Sequence, residues 1–280
     1  MPKYAPEDEE RQPVPGELRG DNIICFTAGT GRSGTTYLYR MLHYTEQCYS
    51  SHEYIVGDLT KSMAKALANN DPDSIEVVDT YWKEKSIPRL NAYSDKPYFD
   101  SDGRFIISAY RFAFRDIPHD RLKIIILTRS KVKTIKSLYA HGGGRFSEEK
   151  GLTGAIPYPH GVLNVTKPHK PMAEMTRIDI CTWAVFEVAE RQKRIKEVYP
   201  DIDTFHWDMD TDPPSFERWM SLLSFLGLNM TDNLVKLIKK NPVINPTHGN
   251  VVPCSIEEVE DSIANYRKIM NDQPRPAGVL

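Results

Sequence analysis

The sequence predicts an α/β fold of three layers, α/β/α, around a central parallel sheet. Two apolar runs carry this prediction: residues 23–26 (Ile-Ile-Cys-Phe) and residues 123–128 (Lys-Ile-Ile-Ile-Leu-Thr). Each run is short and lacks polar alternation, and each precedes a stretch with helical periodicity, which is typical of a parallel strand buried on both faces. Strands that alternate with helices along a chain favour a parallel sheet with helices on both sides.

The remaining elements are predicted in order from the same patterns. Strands are expected at about residues 22–28, 48–55, 105–110, 123–128 and 203–207. Helices are expected at about residues 37–44, 58–71, 130–139, 179–199, 216–226, 232–240 and 256–270. Residues 75–82 fit either type, because their apolar positions match both periods.

Two segments have no periodic pattern. Residues 1–21 contain four prolines among six acidic residues and predict a disordered acidic, Pro-rich arm. Residues 142–175 open with three glycines and contain four prolines. An aperiodic stretch of this length inside a compact domain is typical of a lid or a substrate-binding loop. We therefore expect one domain over residues 22–280, with 142–175 as its substrate lid or loop.

Composition narrows the class of protein. The chain has 280 residues, 40% hydrophobic and 26% charged, as in ordinary globular proteins. A formal net charge of −2 gives no general attraction to nucleic acid, so an anion site must be a local basic pocket. The four cysteines form no C-x-x-C pair and indicate reduced thiols. The sequence shows neither a membrane span nor a signal peptide, so a cytoplasmic protein without a membrane partner is predicted.

The most informative motif is the glycine-rich turn after the first strand, residues 29–36 (Gly-Thr-Gly-Arg-Ser-Gly-Thr-Thr). Backbone N–H groups of such a turn bind phosphate together with the positive end of the next helix. The spacing of Gly29 and Gly34 matches a Walker loop, but Thr35 and Thr36 stand where lysine and a magnesium-binding hydroxyl are expected, and the cation is Arg32. The motif predicts a P-loop nucleotide-binding-like fold. Its candidate phosphate-binding residues are Thr30, Gly31, Arg32, Ser33, Gly34, Thr35 and Thr36.

An arginine directly before Ser-Gly-Thr-Thr resembles the sulfotransferase family, in its Gly-Arg-Ser-Gly-Thr-Thr branch. The resemblance implies that the loop holds the 5′-phosphosulfate of 3′-phosphoadenosine-5′-phosphosulfate (PAPS). It also implies that Arg129, directly after the strand 123–128, and Ser137, eight residues on, hold the 3′-phosphate. A guanidinium fork and a hydroxyl on a fixed scaffold suit an oxyanion. The late run Phe-Leu-Gly-Leu at 225–228 extends the similarity, which covers roughly residues 22–270.

The sequence departs from the family toward its C-terminus. The animal branch has an Arg-Lys-Gly element there that wraps the 3′-phosphate, whereas residues 245–250 read Asn-Pro-Thr-His-Gly-Asn. Backbone donors around His248 and Gly249 are the substitutes that we expect to bind the cofactor.

Sulfuryl transfer requires a proton acceptor for the attacking hydroxyl or amine. The cytosolic branch uses a histidine on a central strand, but the matching residues 107–111 contain none. Other branches use a glutamate just after the first loop–helix unit, where His52 and Glu53 lie. Both are expected at the carboxyl end of the second strand, the edge at which open α/β sheets bind ligands. Glu53 is the predicted base and His52 the alternative; an ion pair at Glu53 and simple packing of His52 are the competing interpretations.

Further residues are weaker candidates. Arg111 occupies a position where relatives carry a basic residue, and His141 follows the second phosphate-binding helix. The long loop supplies possible acceptor-lining residues: Tyr158, His160, His169, Met172 and Met175.

The resemblance implies an enzyme that transfers the sulfuryl group of PAPS, without a metal, to a hydroxyl or amine of a small molecule. Arg32, Glu53 and His52 are its candidate catalytic residues, and 3′-phosphoadenosine-5′-phosphate (PAP) is its product. Natural-product tailoring in secondary metabolism is one setting that fits. The alternatives are an ATP-dependent small-molecule kinase and a non-catalytic PAP- or PAPS-binding protein of the same fold. The oligomeric state stays open, a homodimer included.

Overall fold

A computed structural model describes residues 12–55, 72–141, 164–240 and 254–271. Five parallel strands form one sheet in the order β2-β3-β1-β4-β5. The strands are β1 (Ile24–Ala28), β2 (Tyr49–Ser51), β3 (Tyr98–Asp100), β4 (Leu122–Thr128) and β5 (Asp203–Asp208). All five carboxyl ends meet at one edge of the sheet, because the strands are parallel.

Helices connect these strands. They are α1 (Thr35–His43), α2 (Pro72–Tyr81), α3 (Ile87–Ala92), α4 (Tyr110–Asp116), α5 (Lys131–His141), α6 (Arg177–Val198), α7 (Phe216–Leu226), α8 (Asp232–Lys240) and α9 (Ile256–Asn271). Single π-helical turns, Trp82–Ser86 and Phe105–Ala109, precede α3 and α4, and Met172–Glu174 is a 3₁₀ turn.

Side chains of the central strands alternate between two apolar clusters. Ile24 and Phe26 of β1 face a cluster that includes Val188 of α6, whereas Cys25 belongs to a cluster that includes Leu38 of α1 and Trp219 of α7. This is the period-2 alternation of a strand, here with helices on both sides. The sheet with helices on both faces is a three-layer α/β/α fold of P-loop-like type, which confirms the predicted fold class.

A third apolar cluster joins α5, α6 and α9. Ile135, Trp183 and Val259 lie at its centre, and each is fully buried. Because α5 follows β4 directly, this packing fixes the helix that carries Ser137. Helix α6 contributes to two clusters and thereby ties the sheet to α5 and α9.

One strand prediction is wrong. Residues 105–110 form the π-turn and the start of α4, because Phe105 stacks on Phe26 of β1, with ring centroids 4.4 Å apart, as part of a helical layer. The strand beside β1 is instead β3, whose three residues are all buried. A three-residue strand is too short for a periodic signal, so an apolar run nearby was mistaken for it.

Part of the arm predicted over residues 1–21 is attached to α3. The Val14 amide donates to the Pro88 carbonyl at 3.0 Å, and the Asn91 side chain bonds the carbonyls of Val14 and Glu17 and the amide of Arg19. Asn91 satisfies backbone groups that a disordered arm would leave to water. Residues 1–11 lie outside the described part of the chain, as do 142–163 of the predicted lid and the helix predicted at 58–71.

The described end of the long loop is attached to α6 through a buried ion pair. The Glu187 carboxylate accepts from the amides of Val165 and Thr166, at 2.9 and 2.7 Å, and pairs with Arg191 at 2.7 Å. Arg191 in turn donates to the carbonyl of Ile106 in the turn before α4. A buried carboxylate with this many partners is well satisfied, so it holds the loop end and that turn in one arrangement.

Gln192 of α6 forms hydrogen bonds at the carboxyl edge of the sheet. Its side-chain amide donates to the carbonyl of Ala28 at 2.6 Å and to that of Leu127 at 3.0 Å. Those carbonyls end β1 and approach the end of β4, the two strands that lead into the predicted phosphate sites. Among the described residues, no helix is long and apolar enough to cross a membrane.

Candidate functional site

The glycine-rich turn connects β1 to α1 at the carboxyl edge of the sheet. Two of its residues adopt left-handed backbone conformations, Gly34 at φ 112° and Arg32 at φ 70°. The Ser33 amide and hydroxyl both donate to the Thr30 carbonyl, at 3.2 and 2.5 Å. The hydroxyl of Ser101, after β3, donates to the Thr35 carbonyl at 2.8 Å. The turn is therefore held from within and from the neighbouring strand.

Glycine is required at three points around this turn because other groups lie close. A Cβ on Gly29 would lie 2.8 Å from the Ser33 hydroxyl, and one on Gly34 would lie 2.6 Å from the Met209 side chain. A Cβ on Gly103, after β3, would lie 2.7 Å from the Gly31 amide nitrogen. The segment after β3 thus packs directly against the backbone of the loop.

Replacing Gly103 with alanine should disturb the loop, because the Cβ would meet backbone atoms of Gly31 that have no flexible end to move aside. We expect a loss of about 1–3 kcal/mol in the free energy of unfolding, as for other overpacked sites. The PAP binding that the sequence predicts should be about tenfold or more weaker, a loss of roughly 1.4 kcal/mol or more. Thermal unfolding and calorimetry would measure the two effects, and wild-type PAP affinity in a folded Gly103→Ala protein would contradict the prediction.

Two predicted phosphate-binding arginines meet at this edge. The Arg32 Nε donates to the Ser137 hydroxyl at 3.2 Å, across 105 positions of sequence, and Arg129 donates to the Arg32 carbonyl at 3.1 Å. Burial, and after it the charge of Arg129, lowers the pKa of Arg32. Across the described part of the chain, no carboxylate forms an ion pair with either arginine. Two neighbouring cations that form no ion pair with a carboxylate of the described residues suit an anionic ligand.

Two lysines of α5 have partners. Lys133 pairs with Asp210 at 2.6 Å, and that carboxylate also accepts from the Ser130 amide at the start of the helix. Lys131 lies 5.4 Å from the ring centroid of Phe186. Arg129 and Ser137 contact the glycine loop, both through Arg32.

His52 follows β2 and contacts the first turn of α1. Its Nε2 lies 3.3 Å from the Thr35 hydroxyl and 3.1 Å from the Thr36 hydroxyl. Burial lowers the pKa of His52, Asp102 opposes that shift, and Arg104 and Arg40 add to it. The ring is therefore uncharged near neutral pH.

Glu53 lies beside His52 and pairs with Arg104, and its side chain is 44% exposed. Its backbone is left-handed, at φ 61°. The described residues include three non-glycine residues with positive φ, and two of them, Arg32 and Glu53, belong to this site. Such strain persists only where surrounding structure imposes it, and it concentrates at functional sites.

Two buried carboxyl groups beside the loop were missed by sequence reasoning. Asp102 is fully buried, its Oδ1 accepts from the Arg104 amide and Nε at 2.7 and 3.2 Å, and its Oδ2 has no hydrogen-bond partner among the described residues. Burial raises the pKa of Asp102, and Arg104 opposes this. Burial, and then the nearby Asp102, raises the pKa of Asp100 to about 7. The signal available in the sequence was Asp-Ser-Asp-Gly at 100–103, directly after an aromatic pair.

The raised pKa of Asp100 makes stability depend on pH. Between about pH 4 and 7 the folded protein holds a proton that the unfolded chain has released, so stability falls as pH rises through this window. We expect Asp100→Asn to be more stable than wild type by an amount that grows from about pH 4 to 7 and is constant above. Urea unfolding of both proteins across this range tests it. The exposed Asp203→Asn is the control, and a pH-independent difference for Asp100→Asn would contradict the assignment.

The remaining candidates have other positions. Arg111 lies in the first turn of α4, and no hydrogen bond joins it to the loop in the described structure. His169 is buried, with its Nε2 3.2 Å from Asp179 and its ring 5.4 Å from that of Tyr266, so it packs and does not line an open pocket. Met175 packs against the third apolar cluster. Tyr158, His160, His248 and Gly249 lie outside the described residues, as do the side chains of His141 and Met172.

A metal-binding cluster is not found in the described ranges, where no three His, Cys, Asp or Glu side chains are grouped suitably. The site therefore consists of a glycine cradle, two arginines, hydroxyls and a carboxylate network. This arrangement can bind phosphate-type anions at two neighbouring points.

No protein-family model matches the sequence, and no curated protein matches it. Solved structures do match. A sulfotransferase domain from the curacin biosynthetic pathway is similar with a TM-score of 0.52 at 12% identity, over 94% of this chain and 95% of that chain. A sulfotransferase domain from the olefin synthase of Synechococcus PCC 7002 has a TM-score of 0.48 at 14% identity, over 93% of this chain and 98% of that one. Of these two, the curacin-pathway domain has a TM-score that is high enough for a comparison of folds. With the parallel sheet and its glycine loop, it shows that this chain has the sulfotransferase fold.

Proposed function

We propose that the protein is a PAPS-dependent sulfotransferase that acts on a hydroxyl or amine of a small molecule. One observation carries this proposal: Arg32 of the glycine loop, Arg129 after β4 and Ser137 of α5 lie together, although they are distant in sequence. A nucleotide that is phosphorylated at both ends offers anionic groups to both arginines.

The chain's own groups would hold the cofactor as follows. Arg32 and the backbone N–H groups of residues 33–36 bind the 5′-phosphosulfate, at the positive end of α1. Arg129 and Ser137 bind the 3′-phosphate, and backbone donors near His248 and Gly249 remain proposed contacts. Arg32 and Arg129 repel each other, and anionic groups bound to both would offset that repulsion.

PAPS supplies a sulfuryl group on a phosphate leaving group. Arg32 neutralises the charge that grows on the leaving phosphate, which is the role of a preorganised donor in a transfer reaction. A guanidinium and backbone donors can serve this less charged group, so we propose that no metal is needed. The loop lacks the lysine and hydroxyl pattern that serves magnesium and ATP.

Glu53 is the proposed proton acceptor. Its side chain is accessible and its backbone is left-handed. Its carboxylate forms an ion pair with Arg104, which is the competing interpretation of this residue and which also restricts its orientation. Asp102 holds Arg104 through the amide and Nε and thereby positions Glu53 indirectly. His52 is the alternative base. Its Nε2 already contacts two hydroxyls of the loop, which argues against this nitrogen as the proton acceptor.

The proposal is tested with radioactive PAPS and pools of alcohols, phenols and amines. We expect label transfer that persists when magnesium is chelated, and calorimetric binding of PAP. Transfer of phosphate from ATP that requires magnesium would indicate the kinase alternative. PAP binding without any label transfer would indicate the non-catalytic alternative.

Natural-product tailoring is the proposed setting, in the cytoplasm. It is supported by one similar solved domain, which comes from the curacin biosynthetic pathway. Acceptor pools sorted into alcohols, phenols and amines would distinguish the acceptor classes.

A further inference from the structure

The imidazole of His52 joins two hydroxyls of the glycine loop. One ring atom, Nε2, lies within hydrogen-bonding distance of both Thr35 and Thr36. The ring also packs against Tyr39 of α1, with centroids 6.0 Å apart, and the neighbouring Ser50 hydroxyl donates to the Tyr39 carbonyl at 2.9 Å. The end of β2 is thus attached to α1, and His52 has a fixed place beside the loop.

A ring nitrogen carries either a proton or a lone pair, and the two states have opposite effects on the loop. If Nε2 carries a lone pair, one threonine hydroxyl donates to it and is lost as a donor to an anion. If Nε2 carries the proton, it donates to the hydroxyl oxygens, and both O–H groups turn away from the ring. An anion in the loop favours the second state, because it gains two oriented donors.

We propose that His52 is a positioning residue whose Nε2–H orients the Thr35 and Thr36 hydroxyls toward the 5′-phosphate of the bound nucleotide. This inference rests on the proposed function and deepens it. It also gives different roles to the two candidate bases. The Nε2 of His52 serves binding of the nucleotide, and Glu53 is left to take the proton of the acceptor.

The surrounding charges agree with this role. Burial lowers the pKa of His52, the negative charge of Asp102 opposes this, and the positive charges of Arg104 after β3 and Arg40 of α1 add to it. Burial and the two arginines keep the ring uncharged near neutral pH. An uncharged ring has one proton, and an anion bound in the loop favours its placement on Nε2.

Binding measurements test the proposal directly. Calorimetry would compare wild type, His52→Leu and His52→Gln with three probes: PAP, adenosine 5′-phosphate and adenosine 3′-phosphate. We expect His52→Leu to bind the two probes with a 5′-phosphate about tenfold more weakly. Binding of adenosine 3′-phosphate should not change, because Arg129 and Ser137 hold that group. His52→Gln should recover most of the loss, because its amide nitrogen also donates.

The control is His119→Leu, since His119 contacts Asp201 and the Phe114 carbonyl before β4, at the opposite edge of the sheet. Equal losses for all three probes would overturn the proposal and indicate a general structural role. Equal losses in the leucine and glutamine variants for the 5′-phosphate probes would overturn the donor role.

A second measurement needs no variant. In protein with ¹⁵N-labelled histidine, NMR should show the Nε2 of His52 protonated in the complex with PAP. A bare Nε2 in that complex would overturn the proposal. Failure of the wild-type protein to bind PAP or adenosine 5′-phosphate would instead overturn the proposed function, so the two failures are distinguishable.

Discussion

Arg32→Ala should abolish sulfuryl transfer while leaving the folded protein at least as stable as wild type. The rate should fall by at least about 10³-fold, because we propose that this arginine is the fixed cation at the leaving phosphate. PAP should also bind more weakly. Label transfer from PAPS, calorimetry with PAP and thermal unfolding would measure the three quantities.

The stability part of this expectation follows from electrostatics. Burial and Arg129 lower the pKa of Arg32, so the folded state bears a cost for keeping this residue charged at neutral pH. Removing the guanidinium relieves that cost. The left-handed backbone at residue 32 is equally strained with arginine or alanine, so it adds no difference. A residue that lowers the stability of the folded protein and is needed for turnover serves the function and not the fold.

The matched control for Arg32→Ala is Arg115→Ala. Arg115 is an exposed arginine that pairs with Asp79 and Asp116. The substitution Arg115→Ala removes the same formal charge at a position far from the site, and it should leave PAP affinity and turnover unchanged. A wild-type rate in Arg32→Ala would falsify the mechanism.

Glu53→Gln should lower kcat by about 10²- to 10⁴-fold, the usual contribution of a general base. PAP affinity should remain at the wild-type value, because the carboxylate is not among the proposed phosphate contacts. Glutamine keeps the size of the side chain and can still accept from Arg104. Steady-state kinetics and calorimetry separate the effect on kcat from any effect on binding.

Glu46→Gln is the control for this variant. Among the described residues, Glu46 is the other glutamate with a left-handed backbone, at φ 59°, and it lies in the turn between α1 and β2. Its replacement changes charge and backbone context in the same way and should leave kcat unchanged. An unchanged kcat and PAP affinity in Glu53→Gln would assign the base to another group, and Asp102→Asn would then be the next variant to measure.

Much of the fold was predictable because its signals are local. The apolar runs that became β1 and β4 are continuous, and α7 and α8 have the bounds that their patterns predicted. The sequence predicts a strand at 105–110, where the structure has a π-helical turn, and it does not predict β3, because three buried residues show no periodicity. The carboxyl pair Asp100 and Asp102 was overlooked for the same reason.

The sequence alone determined the three-layer α/β/α class and the glycine loop with Arg32 as its cation, because these follow from patterns within a few residues of each other. Arg129 and Ser137 became candidates through the resemblance to the sulfotransferase family. Only the tertiary structure decided that Arg32 contacts Ser137, that Gly103 packs on Gly31 and that Glu53 pairs with Arg104. Such contacts join distant positions, and they depend on the order in which parallel strands assemble, which no local pattern encodes.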